Sequence, residues 1–219
     1  MTDQIKQTTP LLLHHKIFSV MEKDGGQGQR VCVVGRSGSG KTVFMRQFMK
    51  YNNFDVIIVM ASSVKEGEYY NIPCKEKYFY SSFNPDVIVD TMIEIENTPK
   101  ANRRNYLFIF DDMMSQIGSD SQHKKLLNKF ATEIRKYKVS LIVVQQAIKG
   151  LSNMSRSQID HIIVTRIHPI EIKNLIEYVT YPNVRSLTSQ LKNYKLGKAF
   201  YFNDNYLYGT HMEVNYDNI

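Results

Sequence analysis

The sequence predicts an α/β fold, with a mostly parallel central sheet enclosed by helices. Several short apolar runs have the length and β-branched composition of strands that are buried on both faces. Segments with helical spacing of apolar residues alternate with these runs, which is the order expected when helices join parallel strands. At 219 residues the chain can build one substantial hydrophobic core. We therefore expect a single three-layer domain.

The most informative segment follows the first of these strands, Val31–Val34. It reads Gly35-Arg36-Ser37-Gly38-Ser39-Gly40-Lys41-Thr42 and matches the pattern G-x-x-x-x-G-K-[ST]. We call residues 35–42 the phosphate loop. A flexible Gly/Ser linker is the alternative, but the helix-like residues 43–49 follow directly, and a buried strand precedes. The setting therefore predicts a P-loop NTPase fold and nucleotide binding.

The residue types of the phosphate loop suit this role. Its glycines allow backbone N–H groups to approach phosphate oxygens, and all eight residues are predicted to contact the nucleotide. The helix that follows directs the positive end of its dipole at the anion. Lys41 is expected to reach the β- and γ-phosphates, and the hydroxyl of Thr42 is expected to bind Mg²⁺.

A second buried run, Tyr106–Phe110, ends in the acidic pair Asp111 and Asp112. Open α/β sheets place their ligands at the carboxyl ends of the strands. Asp111 is therefore predicted to hold Mg²⁺, directly or through water, and Asp112 to orient and polarise the attacking water. Helix capping is the alternative for such an acidic pair. The phosphate loop in the same chain favours the site.

A third run, residues 139–144, ends in the amides Gln145 and Gln146. In some P-loop ATPases an additional strand lies between the phosphate-loop strand and the acidic strand. The polar tip of that strand faces the γ-phosphate. We predict that this run is the additional strand and that Gln146 is the sensor of the γ-phosphate. An exposed strand end is the alternative.

The remaining elements follow from local patterns. A helix should begin at Asn84-Pro85 and bury an apolar face. Predicted for that face are Val87, Ile88, Met92, Ile93 and Ile95. The other predicted elements are strands at 55–60, 78–80 and 161–165, helices at 121–138 and 170–178, and a C-terminal hairpin of 198–202 and 206–208.

Composition narrows the class of protein. The net charge of +7 favours polyanionic partners. Two cysteines give no disulfide framework. No apolar run is long enough for a membrane span, and residues 1–9 lack a signal-peptide core, so secretion is not expected. The expected organisation is an N-terminal extension, 1–29, followed by one ATPase domain, 30–219.

Together these features resemble the poxvirus-type genome-packaging ATPases of the FtsK/HerA superfamily of DNA pumps. The resemblance spans roughly residues 30–166. It is carried by the phosphate loop, the run ending in Asp111 and Asp112, the basic helix with Arg135 ahead of the third run, and Gln146. Only the phosphate loop is specific by itself. Many members of the superfamily carry Glu where Asp112 stands, so the shorter Asp112 would have to approach the water more closely.

The resemblance implies an ATPase of the additional-strand, RecA-like type that uses ATP and Mg²⁺. It implies a homo-oligomeric ring, expected to be a hexamer with a pentamer as the alternative, that drives double-stranded viral DNA into a capsid. A capsid or vertex protein would dock the ring, and the virion or a viral assembly site in the host cytoplasm would be its location. An arginine from the neighbouring subunit would stabilise the transferred phosphoryl group, with Arg135 as the first candidate and Arg156 as the second.

Other readings of the sequence are open. A GTPase switch would carry Asn-Lys-x-Asp, but Asn128-Lys129 is followed by Phe130-Ala131. A nucleotide or small-molecule kinase needs an arginine-bearing lid, for which Arg103-Arg104 is the candidate pair. Kinase activity is therefore the alternative function. Lys65, Lys149 and residues 115–125 are candidate DNA contacts, although solvated basic loops are commoner.

Overall fold

The computed structural model describes residues 28–50, 54–62, 74–148, 158–179, 184–192, 198–202 and 209–213. Nearly all of the predicted N-terminal extension lies outside these ranges, as do Lys65, Lys149 and Arg156. The strands are β1 Arg30–Val34, β2 Val56–Ala61, β3 Glu76–Tyr80, β4 Tyr106–Asp111, β5 Val139–Gln145, β6 His161–Val164, β7 Lys198–Phe202 and β8 Gly209–Glu213. The α-helices are α1 Lys41–Lys50, α2 Pro85–Asn97, α3 Met114–Ser119, α4 Ser121–Glu133, α5 Pro169–Tyr178 and α6 Val184–Lys192.

The strands form one sheet of eight, in the order β3-β2-β4-β5-β1-β6-β7-β8. Strands β1 to β6 are mutually parallel. At one side of the sheet, β7 runs antiparallel to both of its neighbours, β6 and β8. Strand β5 lies between β1 and β4, so the predicted additional strand is present. The predicted fold class is confirmed, including the C-terminal hairpin. Because the six strands are parallel, the phosphate loop after β1 and the acidic pair at the end of β4 both lie at the carboxyl ends of the strands.

Helices cover both faces of the sheet. One face packs against α2, α4, α5 and α6, whose contributions to the core include Ile88, Phe130, Leu175 and Leu187. On the other face, α1 contributes Phe44 and Met45 to a second core. Strand residues alternate between the two cores, as their continuous apolar composition requires. Both faces of the sheet are therefore covered, and the site lies at the carboxyl ends of its parallel strands.

The start of α2 follows the predicted chemistry. Asn84 Oδ1 accepts a hydrogen bond from the Val87 N–H at 3.4 Å, and Pro85 occupies the first turn, where a missing N–H costs nothing. The inclusion of Ile93 in the buried face is wrong, because its side chain is 50% exposed. Thr91 is buried there instead, since its position continues the helical period through Ile95.

Several boundaries differ from prediction. The helix predicted for 121–138 ends at Glu133, and a 3₁₀ turn, Ile134–Lys136, leads into β5. The second hairpin strand is Gly209–Glu213, and the predicted 206–208 lies outside the described residues. Helices α3 and α6 were not predicted. The six residues of α3 are too few to show periodicity, and α6 buries only Leu187 and Leu191.

A buried ion pair joins the amino ends of two strands. The Arg30 guanidinium donates to both carboxylate oxygens of Asp160, at 3.0 and 2.9 Å, and the two side chains are 3% and 7% exposed. Arg30 also donates to Ala131 O at the end of α4, at 3.0 Å, and to Gln158 Oε1. The ion pair is therefore well provided with hydrogen bonds, which a buried charge requires.

Candidate nucleotide-binding and hydrolysis site

The phosphate loop is anchored between the ends of two strands. The Gly35 N–H donates to Gln145 O, at the end of β5, across 3.1 Å. The Arg36 N–H donates to Arg166 O, just beyond β6, across 2.9 Å. The carboxyl ends of β5 and β6 therefore hold the first two residues of the loop in place.

Two glycines allow the loop to turn. Gly38 and Gly40 have φ values of 68° and 87°, in the left-handed region that side chains disfavour. The Phe44 N–H then donates to Gly40 O at 2.9 Å, which closes the first turn of α1. The free N–H groups and the dipole at a helix N-terminus favour a bound anion. The loop therefore has the backbone form of a phosphate site.

Lys41 lies inside the phosphate loop. Its Nζ donates to Gly35 O at 2.8 Å and to Arg36 O at 3.2 Å, and the residue is only 8% exposed. Burial lowers the pKa of Lys41, and the negative charges of Asp112 and Asp111 oppose that effect. The loop and the acidic pair are both bonded to the end of β5, since the Gly35 N–H donates to Gln145 O and the Asp112 N–H donates to Val144 O. A phosphate held by Lys41 would therefore lie beside the acidic pair.

The acidic pair lies at the end of β4 in two different environments. Asp111 is the last residue of the strand and is 2% exposed. Asp112 follows it with φ 53°, and its N–H donates to Val144 O in β5 at 3.0 Å. A positive φ is uncommon outside glycine, although Asp tolerates it better than most residues. Asp111 is therefore buried at the end of the strand, whereas Asp112 is partly exposed on the turn that follows.

Gln146 reaches the acidic pair from the neighbouring strand. Its Nε2 donates to Asp112 Oδ2 at 3.2 Å. Strand β5 ends at Gln145, so Gln146 lies one residue beyond the strand and is exposed. The Gln145 side chain points the other way and is buried beside Cys32 Sγ, at 3.5 Å. Of the two amides, Gln146 is therefore the one at the site.

The residues present fit Mg²⁺. Thr42 and Asp111 offer a hydroxyl and a carboxylate, the oxygen ligands that Mg²⁺ prefers, and in nucleotide sites phosphates and waters complete its coordination. Among the described residues, no group of three or more His, Cys, Asp or Glu side chains is arranged to hold a metal.

The structure places Arg135 at the amino ends of the parallel strands, opposite the phosphate loop. It belongs to the 3₁₀ turn that precedes β5, whereas Gln146 follows β5. The seven residues of β5 span roughly 23 Å at about 3.3 Å per residue. Arg135 therefore cannot serve the site of its own chain. Arg156 lies outside the described residues.

Two residues that sequence reasoning missed support the site. Thr165 follows β6, and its hydroxyl contacts Ser39 Oγ at 2.7 Å. Glu171, in the first turn of α5, accepts the Ile148 N–H at 3.0 Å and the Asn174 side-chain amide at 3.0 Å. A polar residue at a strand's carboxyl end was the available signal for Thr165, and no local signal marked Glu171.

Within the described ranges, every helix falls short of the length and apolar character that a bilayer span requires. Among curated proteins, no sequence matches this chain. The solved structures do provide matches, and they have the same fold at low sequence identity. The DNA-packaging ATPase B204 from Sulfolobus turreted icosahedral virus aligns with a TM-score of 0.65 and 16% identity, over 87% of this chain and all of that one (100%).

Two further solved structures are similar. The genome-packaging NTPase B204 from Sulfolobus turreted icosahedral virus 2, in complex with AMPPCP, aligns with a TM-score of 0.62 and 15% identity over 87% of this chain and 99% of that chain. The cytoplasmic domain of the Thermomonospora curvata type VII secretion ATPase EccC aligns with a TM-score of 0.62 and 11% identity over 87% of this chain and 26% of that chain.

The sequence itself matches a family. The profile of the family described as "Poxvirus A32 protein" matches residues 22–195, which is most of the chain and includes the phosphate loop, the acidic pair and Gln146. The phosphate loop and the acidic pair are the motifs of a P-loop ATPase. The chain therefore belongs to the poxvirus A32 protein family, as its motifs indicated.

Proposed function

We propose that this chain hydrolyses Mg²⁺-ATP to move double-stranded DNA into a viral capsid. One observation carries the catalytic part of the proposal. The phosphate loop and Asp112 are both bonded to the end of β5, through the Gly35 N–H to Gln145 O and the Asp112 N–H to Val144 O, and Gln146 is hydrogen-bonded to Asp112. The residues proposed for phosphate binding, metal binding and water activation therefore lie at the carboxyl ends of neighbouring parallel strands.

The residues divide the chemistry among them. The loop amides and the Lys41 ammonium would bind the β- and γ-phosphates, and Thr42 and Asp111 would hold the Mg²⁺, which neutralises charge on the phosphates. Asp112 would accept a proton from the attacking water or orient it. Gln146 would link the state of the γ-phosphate to Asp112 through their hydrogen bond. An arginine from a neighbouring chain, Arg135 or Arg156, would stabilise the transition state.

Several observations support DNA as the substrate to be moved. The net charge is +7, and the helix α4 exposes Lys124, Lys125 and Lys129 on its surface. These lysines belong to or adjoin the candidate DNA contacts at 115–125. The similar B204 proteins are described as DNA- or genome-packaging enzymes. Exposed lysines would bind phosphates of the DNA backbone without reading sequence.

The proposed assembly is a homo-oligomeric ring, with a hexamer as the main expectation and a pentamer as the alternative. The position of Arg135 supports it, because only a neighbouring chain could receive an arginine from that edge of the sheet. A capsid or vertex protein would dock the ring at the virion or at a viral assembly site in the host cytoplasm.

The arginine pair considered as a kinase lid is engaged elsewhere in the fold. Arg104 pairs with Glu76 and Glu94, and the Arg103 guanidinium lies 5.3 Å from the centre of the Tyr137 ring. Both arginines precede β4, at the amino edge of the sheet and away from the phosphate loop. Neither can therefore close over a nucleotide bound there.

The proposal is tested by measuring ATP hydrolysis with and without duplex DNA, on a sample whose mass is determined at the same time. We expect turnover to rise with DNA and the stimulation to fall as salt screens the phosphate contacts. The Lys41→Ala chain is the control and should remain inactive in both conditions. Turnover that is independent of DNA in an assembled sample would contradict the proposal.

A further inference from the structure

We propose that Thr165 is a positioning residue that holds the phosphate loop in its nucleotide-binding shape, through a hydroxyl pair with Ser39. This inference rests on nucleotide binding by the loop. Thr165 and Ser39 are 126 positions apart in the chain, yet their hydroxyl oxygens lie 2.7 Å from each other. They are 1% and 4% exposed, so the contact is sealed from solvent.

The Thr165 hydroxyl lies within hydrogen-bond distance of two partners. It donates to Val34 O, the last carbonyl of β1, at 3.2 Å. A hydroxyl has one hydrogen, so Thr165 Oγ1 accepts from Ser39 whenever it donates to Val34 O, and at 2.7 Å either hydroxyl can be the donor of the pair. The Thr165 hydroxyl thus ties the end of β1 to the middle of the phosphate loop, and the Thr165 N–H reinforces the tie by donating to the same Val34 O at 2.9 Å.

The loop also packs directly on this hydroxyl. A methyl group placed on Gly35 would lie 1.8 Å from Thr165 Oγ1 and 2.5 Å from Ser39 Oγ, so the first glycine of the loop leaves the room that the hydroxyl pair occupies. Glycine at position 35 therefore has a packing reason in addition to any approach of phosphate. The contact fixes the spacing between the start of the loop and its fifth residue.

Both polar groups of Ser39 are bonded within the protein. Its hydroxyl is hydrogen-bonded to Thr165 Oγ1, and its N–H donates to Arg36 O at 3.2 Å. Its contribution to nucleotide binding is the shape of the loop, which lowers the ordering cost when the ligand binds.

The test measures the dissociation constant of Mg²⁺-AMPPCP by calorimetry for two substitutions at position 165. Thr165→Val keeps the size of the side chain and removes the hydroxyl, whereas Thr165→Ser keeps the hydroxyl. We expect Thr165→Val to raise Kd about tenfold, equivalent to about 1.4 kcal/mol, and Thr165→Ser to stay near the unsubstituted chain. At saturating ATP the kcat of Thr165→Val should change less than its KM.

A double-mutant cycle separates positioning from general loss of stability. Ser39→Ala removes the same hydrogen bond from the other side, so Ser39→Ala combined with Thr165→Val should weaken AMPPCP binding no more than Thr165→Val alone. Ile163→Val, on β6 but facing the core, is the matched control and should leave Kd unchanged.

The inference is overturned if Thr165→Val binds AMPPCP as tightly as the unsubstituted chain, if Thr165→Ser is as weak as Thr165→Val, or if the control weakens binding equally. An unsubstituted chain that fails to bind AMPPCP would instead refute the proposed function, and this inference with it. The two failures are therefore distinguishable in one set of titrations.

Discussion

Gln146 Nε2 donates a hydrogen bond to Asp112 Oδ2 across 3.2 Å, so the tip of one strand is in direct contact with the carboxylate that follows its neighbour. A second bond, from the Asp112 N–H to Val144 O, holds the backbone of the acidic pair against β5. Any shift of β5 would therefore move Asp112 as well. This relationship makes the pair suitable for coupling the state of a bound nucleotide to the chemistry.

The first prediction concerns Asp112 itself. Asp112→Asn keeps the shape of the side chain and can still accept from Gln146, but it removes the basic carboxylate. We expect kcat to fall by about 10²- to 10⁴-fold while the Kd for Mg²⁺-AMPPCP changes little. Asp90→Asn, at an exposed position of α2, is the control. Asp112→Asn turning over at the unsubstituted rate would remove Asp112 from the role of base.

The second prediction concerns the support behind Gln146. Glu171 accepts the Ile148 N–H, two residues after Gln146, and so fixes the chain that leaves β5. Glu171→Ala should lower kcat by up to about 10²-fold, because a sensor side chain that moves by an ångström loses its alignment. Glu171→Gln retains an acceptor oxygen and should recover most of the rate. Equal rates for Glu171→Ala and the unsubstituted chain would show that Glu171 does not position the sensor.

The third prediction uses mixed assemblies. Arg135 lies at the opposite edge of the sheet from its own phosphate loop, so it can act only on a neighbour. Arg135→Ala should abolish turnover and leave AMPPCP binding nearly intact. Mixing Arg135→Ala with Lys41→Ala chains should restore some activity, because mixed interfaces can combine an intact Lys41 with an intact Arg135. Absence of recovery in mixtures shown by mass to be mixed would contradict action between chains.

The fourth prediction contrasts two ion pairs in urea unfolding. Asp160→Ala leaves the Arg30 guanidinium buried without its partner and should lower the free energy of unfolding by about 3–5 kcal/mol. Lys75→Ala breaks the exposed pair with Asp55, in which the lysine side chain is 80% exposed. This substitution should change the free energy of unfolding little. Equal effects of Asp160→Ala and Lys75→Ala would show that the Arg30 pair is not structural.

The fifth prediction concerns thiol reactivity. Burial raises the pKa of Cys32 to about 12, against an ordinary value of 9.0, and a hydrogen bond from Gln145 offsets only part of this effect. Each pKa unit lowers the thiolate fraction about tenfold at neutral pH. An alkylating reagent should therefore modify Cys74, which is half-buried, while Cys32 reacts only after unfolding. Mass spectrometry of native and urea-treated samples gives the two rates, and rapid modification of native Cys32 would contradict its placement.

Local patterns were sufficient for the main parts of the fold. The strand, glycine loop and helix around Lys41, and the apolar run ending in Asp111, each carry their signal within about ten residues. The parallel arrangement then brings their ends to one edge without further information. The position of β5 between β1 and β4 was predictable because its polar tip, with Gln146, resembles the additional strand of related ATPases.

Contacts between distant segments were not predictable in the same way. The Thr165 hydroxyl meets Ser39, and Glu171 meets the Ile148 N–H, only because β6 and α5 pack beside the phosphate loop and the end of β5. The left-handed backbone of Asp112 likewise occurs together with a bond to another strand, from its N–H to Val144 O in β5. Such features arise from tertiary packing, which periodicity within one segment does not encode.

The most direct test of DNA translocation is displacement of a third strand from duplex DNA. A short triplex is placed at one end of a long duplex, and release of the labelled third strand is followed after addition of Mg²⁺-ATP to the assembled protein. We predict release that requires ATP hydrolysis, that is absent with AMPPCP, and that is absent with the Lys41→Ala chain. Vigorous ATP hydrolysis on that duplex without any release of the third strand would contradict translocation.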